Sequence, residues 1–371
     1  MEVRKLYFKR KGKKSNIILK NIALLCTTLS LVCFLVRLSC FVKDKGKNLE
    51  LFAAGFILPS ADKPEQQLQQ YKKTDTPKNK KEYNKLSNIY ETEIEPSSHD
   101  SEERNHDGEN RYNIIESQFT QGGSSFENFY VKNNTNYDLN IGEELSKKPD
   151  ITLKKDAGPQ VLILHTHTSE SYMDKDQGFY YESFYPRSTD YNKNVTRVGD
   201  AIAKRLRSNK IETIHDLTYH DNPSYNGSYS RSAETINNIL STYPSIQVVL
   251  DIHRDSIGNN EKGKVKPTFK VNGKKAAQIM IISGCDLDGS MNFPDWEYNL
   301  RFALRIQKEA ENMYPGMTRP MSFGEFRYNM NLTHGSLLIE VGTDANTLEE
   351  SVRTGELLGD VLTNVLNDLE S

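Results

Sequence analysis

Two histidines and a glutamate fall within six residues at His165-Thr-His167-Thr-Ser-Glu170, directly after the apolar run Val161-Leu-Ile-Leu164. A third histidine closes a second apolar run, Val248-Val-Leu-Asp251-Ile-His253. A glutamate is embedded in another, Ser336-Leu-Leu-Ile-Glu340-Val-Gly342. Imidazoles and carboxylates are the ligands of a hydrolytic zinc, which takes about three of them and keeps one position open for water. The metal draws the pKa of that water toward neutrality. A neighbouring carboxylate then accepts the proton and returns it to the leaving amine. His167 and His253 are the candidate imidazole ligands. Glu340 suits the general base, because a strand holds it more firmly than a loop. The third ligand is open among Glu170, Asn194 and His334.

Each of these residues also has a plainer reading. By the two-residue period of an extended chain, His165 points to the same side as His167, so one of them can be a core or supporting residue. An unpaired carboxylate in an apolar run is costly, which makes an ion pair with Arg254 or Arg327 the structural alternative for Glu340. Asp251 can orient a ring nitrogen of His253, as the carboxylate partners of metal-bound histidines do, and Arg254 stands beside it. Ser169 and Ser171 raise a metal-free serine hydrolase, but the nucleophile elbow Gly-x-Ser-x-Gly is missing. His99, His106, His215 and His220 read as linker or surface residues.

These residues need a frame that gathers strand ends. Val161–Leu164 reads as a buried strand. Residues 194–206 carry Val195, Val198, Ile202 and Leu206 at helical spacing, and 211–214 read as the next strand. A helix over 229–243 has Ala233, Ile236 and Leu240 as its inner stripe, with Pro244 after its end. Strands are predicted over 246–250, 277–282 and 337–341, and an amphipathic helix over 296–314 before Pro315-Gly316. The last helix starts near Asn346, capped by Asn346 or Thr347, with Glu349 and Glu350 favourable to its dipole. Such alternation implies an α/β fold, a mostly parallel sheet with helices on both faces. In open sheets of this kind, ligands collect at the carboxyl ends of the strands.

The rest of the 371-residue chain is uneven. A net charge of -2 gives no footprint for nucleic acid. Cys26, Cys33 and Cys40 lie in an N-terminal apolar stretch, which leaves Cys285 alone beyond it. Disulfides within the folded part and a cysteine-based zinc site are thereby excluded. Residues 1–21 form a basic segment, with eight Lys/Arg against Glu2 in the first twenty. Residues 22–42 are apolar apart from Arg37 and about as long as a bilayer crossing requires. The basic flank puts the N-terminus in the cytoplasm and the bulk of the chain outside the cytoplasmic membrane. A cleaved signal peptide is the rival reading. Residues 43–111 have the composition of a disordered tether. Residues 112–159 read as an N-terminal extension, with a strand over 126–131 and a helix over Ile141–Ser146. Residues 160–371 form the catalytic domain.

At four segments the chain resembles the SpoIIP family, the stage II sporulation proteins P. They are His165-Thr-His-Thr-Ser-Glu-Ser-Tyr172, Asn194-Val-Thr-Arg-Val-Gly199, Asp251-Ile-His-Arg-Asp255 and Leu338-Ile-Glu-Val-Gly-Thr343. The resemblance covers roughly 160–371 and, loosely, 112–150; the anchor and spacer fit it too. That family is similar to zinc-dependent N-acetylmuramoyl-L-alanine amidases, which implies an amidase-like fold and cleavage of peptidoglycan at the glycan–peptide amide and at peptide cross-links. It further implies a role in engulfment during endospore formation, beside a SpoIID-like glycan hydrolase and a SpoIIM-like membrane protein. On the resemblance, His167 and His253 match the metal positions and Glu340 the catalytic glutamate. The related amidases carry a ligand glutamate at the start of the helix after the first motif. Here that region reads Tyr191-Asn-Lys-Asn-Val195, and Glu170 is the substitute. The alternative function is a cell-wall binding or scaffold protein with a degenerate site.

Overall fold

The computed structural model describes residues 106–154 and 157–370. The expected membrane segment 22–42 and most of the expected tether lie outside the described residues. Among the described residues, no helix is long and apolar enough to cross a membrane.

In chain order the strands are β1 (Arg111–Ser117), β2 (Ser124–Phe126), β3 (Phe129–Asn133), β4 (Val161–Leu164), β5 (Phe179–Tyr181), β6 (Thr213–His215), β7 (Val248–Asp255), β8 (Gly258–Asn259), β9 (Gly263–Val271), β10 (Lys274–Ala277), β11 (Ile279–Gly284), β12 (Met321–Gly324) and β13 (Gly335–Thr343). The helices are α1 (Ile141–Ser146), α2 (Thr196–Ser208), α3 (Ser228–Thr242), α4 (Trp296–Met313) and α5 (Leu348–Asn367).

An eight-stranded sheet in the order β2-β3-β12-β11-β13-β7-β4-β6 forms the centre. It is mixed. Five of its seven neighbouring pairs are parallel, while β13 runs antiparallel to β11 and β2 to β3. The expected 112–159 segment supplies β2, β3 and α1, and β3 adds directly to β12 in the main sheet. Arg111 opens β1, so strand structure begins at the last residue of the expected tether.

A single strand predicted over 277–282 is instead two, in different sheets. β10 belongs to a second, smaller sheet, β10-β9-β1-β5, whose presence the apolar pattern did not signal. Gln278 stands at the break, and its amide bonds the chain at Phe119 and Gly316. Lys266 of β9 is 2% exposed and meets Glu350 at 2.9 Å and Asp176 at 2.8 Å. A buried ammonium persists only with such partners. Glu350 also closes the α5 capping box with Thr347, so this ion pair ties the small sheet to the start of α5.

Alternating residues of the central strands serve two cores. Val161, Ile163, Leu250, Ile252 and Ile339 pack with α2, α4 and α5. Leu162, Leu164, Ile214 and Val249 pack with Ile236 and Ile239 of α3. Ser232, Thr235 and Ile236 line the buried side of α3, whereas the expected Ala233 and Leu240 lie half-buried. Helices thus cover both faces, with α3 alone on the second. On that second face, toward β11, Met280 and Ile282 are only half-buried. Asp251, His253 and Glu340 point to this less covered side.

Candidate active site

The bend after β4 is built by hydrogen bonds that turn His165 away and His167 inward. Nδ1 of His165 donates to the Ile252 carbonyl at 2.8 Å, so its Nε2 must accept, and His215 Nε2 donates to it at 2.9 Å. The carbonyl of His165 accepts from His220 Nδ1 and Thr168 Oγ1, both at 2.8 Å. Burial pushes His165 down to about 4 and holds His215 well below its ordinary range. Both are neutral at pH 7. His165 is therefore a supporting residue, with neither ring nitrogen free for a metal. His215 and His220, expected at the surface, are instead structural: His215 meets His165 beneath the bend and His220 is 1% exposed. Nothing in their local sequence distinguishes them, because strand β6 and the loop that follows it deliver them from elsewhere. Gly199 of α2 makes room for the pair. A Cβ there would lie 2.5 Å from His215 Nε2 and 2.7 Å from His165 Nε2.

Beyond this bend, His167, Glu170 and His253 converge, with one ligand atom from each lying within 4.8 Å of the others. His167 Nδ1 is 3.5 Å from Glu170 Oε1, and His253 Nδ1 is 3.4 Å from Glu170 Oε2. The two imidazoles stand perpendicular, 5.0 Å between centroids. Zinc bonds of about 2.0–2.1 Å at tetrahedral angles separate neighbouring ligand atoms by about 3.4 Å; each imidazole stands at about that spacing from one oxygen of Glu170, though not from the same one. Asp251 Oδ1 lies 2.8 Å from His253 Nε2 and is itself held by Thr166 N and Oγ1, at 2.7 and 2.6 Å from its two oxygens. This is a close ion-pair contact, off-line for a hydrogen bond, where metal-bound histidines usually have a supporting carboxylate. His167 Nε2, His253 Nε2 and Glu340 Oε2 are buried without hydrogen-bond partners, as are five atoms elsewhere among the described residues; three such atoms at one place call for a common explanation, such as a catalytic role or an ion.

The charges fit the same picture. Burial alone would raise Glu170, but Arg254, His167 and His253 hold its carboxyl well below the usual range. Burial alone would lower His253, but Asp251 and Glu170 hold it well above 6.5. A carboxylate thus sits beside an imidazolium where a cation would share the same ligands. His167 is lowered by burial, partly offset by Glu170.

Glu340 on β13 is the register partner of His253 on β7. Parallel neighbours in register project to the same face, so the carboxylate stands beside the second histidine. Burial, reinforced by Asp255 and opposed by His253, raises it to about 8. It has no ion pair among the described residues. Arg254 turns instead to Glu170 and to the carbonyls of Ser171 and Pro186, and Arg327 donates to the Met291 carbonyl.

Two candidate ligands lie elsewhere. Asn194 supports the start of α2: its Oδ1 accepts from Thr196 N and Oγ1, and its Nδ2 donates to Ser188 O and Tyr219 Oη. His334 meets Asp150 at 2.7 Å and stacks on Tyr298. A serine mechanism gains no support from Ser169, whose hydroxyl donates to Asp221 rather than to a histidine.

Four further residues border the cluster and escaped the sequence reading. Tyr225 stacks on His167 at 4.3 Å, and Tyr229 meets the same ring edge-on. Arg187 lies over Tyr225, 5.0 Å from its centroid, and pairs with the buried Asp221 at 2.9 Å. Their segments carry no apolar period; the only available signal was the density of aromatic residues around 179–191 and 219–229.

The family model for Stage II sporulation protein P (SpoIIP) matches residues 39–363. The stage II sporulation protein P of Bacillus subtilis (strain 168) is 31% identical over 225 residues, 57% of this chain and 52% of that one. The chain thus matches about half the length of that relative. Solved structures with similarity include an N-acetylmuramoyl-L-alanine amidase of Nostoc punctiforme, at 10% identity and TM-score 0.33 over 57% of this chain and 97% of that one. Another is the catalytic domain of the N-acetylmuramoyl-L-alanine amidase CwlV from Bacillus (Paenibacillus) polymyxa var. colistinus, at 16% identity and TM-score 0.33 over 56% and 98%.

Proposed function

The chain belongs to the stage II sporulation protein P family, and from that premise we propose that it is a membrane-anchored peptidoglycan hydrolase. It cleaves the N-acetylmuramoyl-L-alanine amide, and peptide cross-links as well, during engulfment in endospore formation. Residues 22–42 anchor it with the N-terminus in the cytoplasm and the catalytic domain outside. Its partners are a SpoIID-like glycan hydrolase and a SpoIIM-like membrane protein. The observation that carries the reading is the His167–Glu170–His253 cluster with the unpaired Glu340 in register beside His253. Glu170 supplies the carboxylate whose absence after the first motif favoured a scaffold reading.

His167, Glu170 and His253 would hold a zinc ion, which when bound supplies Lewis acidity to the scissile carbonyl and to water. The protein's own groups do the rest. Asp251 fixes the ring of His253, so that its Nδ1 faces Glu170. Glu340 takes a proton from the attacking water and delivers it to the departing amide nitrogen. Its pKa, raised by burial to about 8, falls under a neighbouring positive charge, which brings it near working pH, where acid–base exchange is most effective. Tyr225 and Tyr229 wall the cluster and limit water around it.

The test is incubation of the purified chain with isolated peptidoglycan. Release of stem peptides is expected, lost on chelation and in His253→Ala or Glu340→Gln. Binding without release refutes the hydrolase reading in favour of a scaffold. Release that survives thorough metal removal refutes the metal and favours a metal-free hydrolase.

A further inference from the structure

Arg187 is placed beside the metal cluster by the backbone. Residues 186–188 run antiparallel to 169–171: Ser171 N donates to Pro186 O, Ser188 N to Ser169 O, and Glu170 bridges Arg187. Its guanidinium is fixed on one side only. Nη1 donates to Asp221 at 2.9 Å and to Ser169 Oγ at 3.1 Å. Nη2 comes no nearer than 3.8 Å to Glu170 Oε1, too long for a hydrogen bond. Among the described residues, Nη2 and Nε donate none. The side chain is 24% exposed and lies over Tyr225, which is itself 43% exposed. A purely structural arginine is expected to use both edges of its fork; this one leaves Nη2, on the side of Glu170, and Nε without an acceptor. Held flat by an ion pair and an aromatic face, it has lost its rotamer freedom before any ligand arrives, which favours planar, two-point recognition of a carboxylate.

We propose that Arg187, held against Tyr225, forms a carboxylate-binding subsite that anchors an acidic stem peptide next to the scissile amide. This rests on the hydrolase reading. Glu170, a residue of the metal cluster, lies within 3.8 Å of the guanidinium, and one residue of chain spans about 3.8 Å. The acid recognised therefore belongs to a stem residue close to the cleaved bond, and the second is the one tested. Asp221 is the positioning residue for this subsite.

The experiment compares two synthetic muramoyl peptides, one with a free carboxylate on the second stem residue and one with the carboxamide there. Binding is measured by calorimetry and turnover by product release, using the full-length wild type, Arg187→Gln and Arg187→Lys. The wild type is expected to favour the acid by about ten- to a hundredfold in both readouts, the usual range for a charge-assisted hydrogen bond. Arg187→Gln abolishes the preference. Arg187→Lys, which keeps the charge near Asp221 but not the fork, retains only a small part of it. Equal handling of both peptides by the wild type overturns the proposal, and that measurement needs no variant to fold. So does an equal loss on both peptides in Arg187→Gln, which would mark a structural tie alone. Preferential binding with no turnover of either peptide by the wild type leaves the subsite standing and removes the hydrolase reading.

Discussion

Replacing Glu340 by glutamine should stabilise the metal-free protein while abolishing its activity, and the size of the effect follows from its surroundings. Its folded-state pKa is raised from 4.5 to about 8. Between those values the unfolded chain has released the proton and the folded chain still holds it, so stability falls as pH rises through this window and levels off above it. One pH unit corresponds to about 1.36 kcal/mol. The wild type should therefore lose about 2–3 kcal/mol more than Glu340→Gln between pH 6 and pH 9, where glutamine has nothing to ionise. At pH 9 the full difference approaches about 3–5 kcal/mol in favour of the variant. The assay is urea unfolding of both proteins with a chelator present, at pH 6, 7, 8 and 9, read as the difference between the two so that other titrating groups cancel. Activity should fall by about a hundredfold or more, the usual contribution of a positioned acid–base group. Parallel pH profiles for the two proteins would refute the claim that its surroundings raise this half-buried carboxyl. A variant that is less stable at every pH would point to a hidden hydrogen bond to Glu340.

Asp251→Asn should weaken zinc binding by about ten- to a hundredfold, the usual cost of removing the partner behind a ligating histidine, as measured by competition with a chelating dye; unchanged affinity would deny Asp251 that role. His253 is held well above 6.5 by Asp251 and Glu170, so zinc uptake at pH 7 should displace a proton and the affinity should rise with pH, which calorimetry in buffers of different ionisation enthalpy detects. His215→Ala leaves His165 Nε2 unpaired and should cost about 1–3 kcal/mol in denaturant unfolding, with zinc affinity held within a fewfold. Thr347→Ala removes the α5 capping box and should cost about 1 kcal/mol, visible as a lowered melting temperature without loss of zinc binding.

Three strand-end histidines and one embedded glutamate were visible in the amino-acid order, because an apolar run followed by a ligand-type residue is a local pattern. The helices were legible for the same reason: 196–208, 228–242, 296–313 and 348–367 each carry their own period, and Thr347 its own cap. The third ligand stayed open in the amino-acid order among Glu170, Asn194 and His334, and the structure brings Glu170, three residues from His167, to the two imidazoles. Strand ends were placed less well, and the small sheet not at all. β5 and β8 are too short for a period, and β9 keeps a lysine at its centre, buried only because Glu350 and Asp176 come to meet it.

What the chain order determined, then, was which residues carry ligand-type side chains and which segments bury an apolar face, since both depend on residue type and near-neighbour spacing. Which histidine turns inward was decided by tertiary contacts. His165 and His167 are equivalent along the strand, and only the Ile252 carbonyl, His215 and the opening over Gly199 draw the first into the core. The register of β13 against β7 puts Glu340 beside His253, and no local pattern encodes it, because pairing is fixed by the packing of both faces of the sheet at once. The same holds for Arg187 on one loop and Asp221 and Tyr225 on another, which acquire a role only where the fold brings those two loops together.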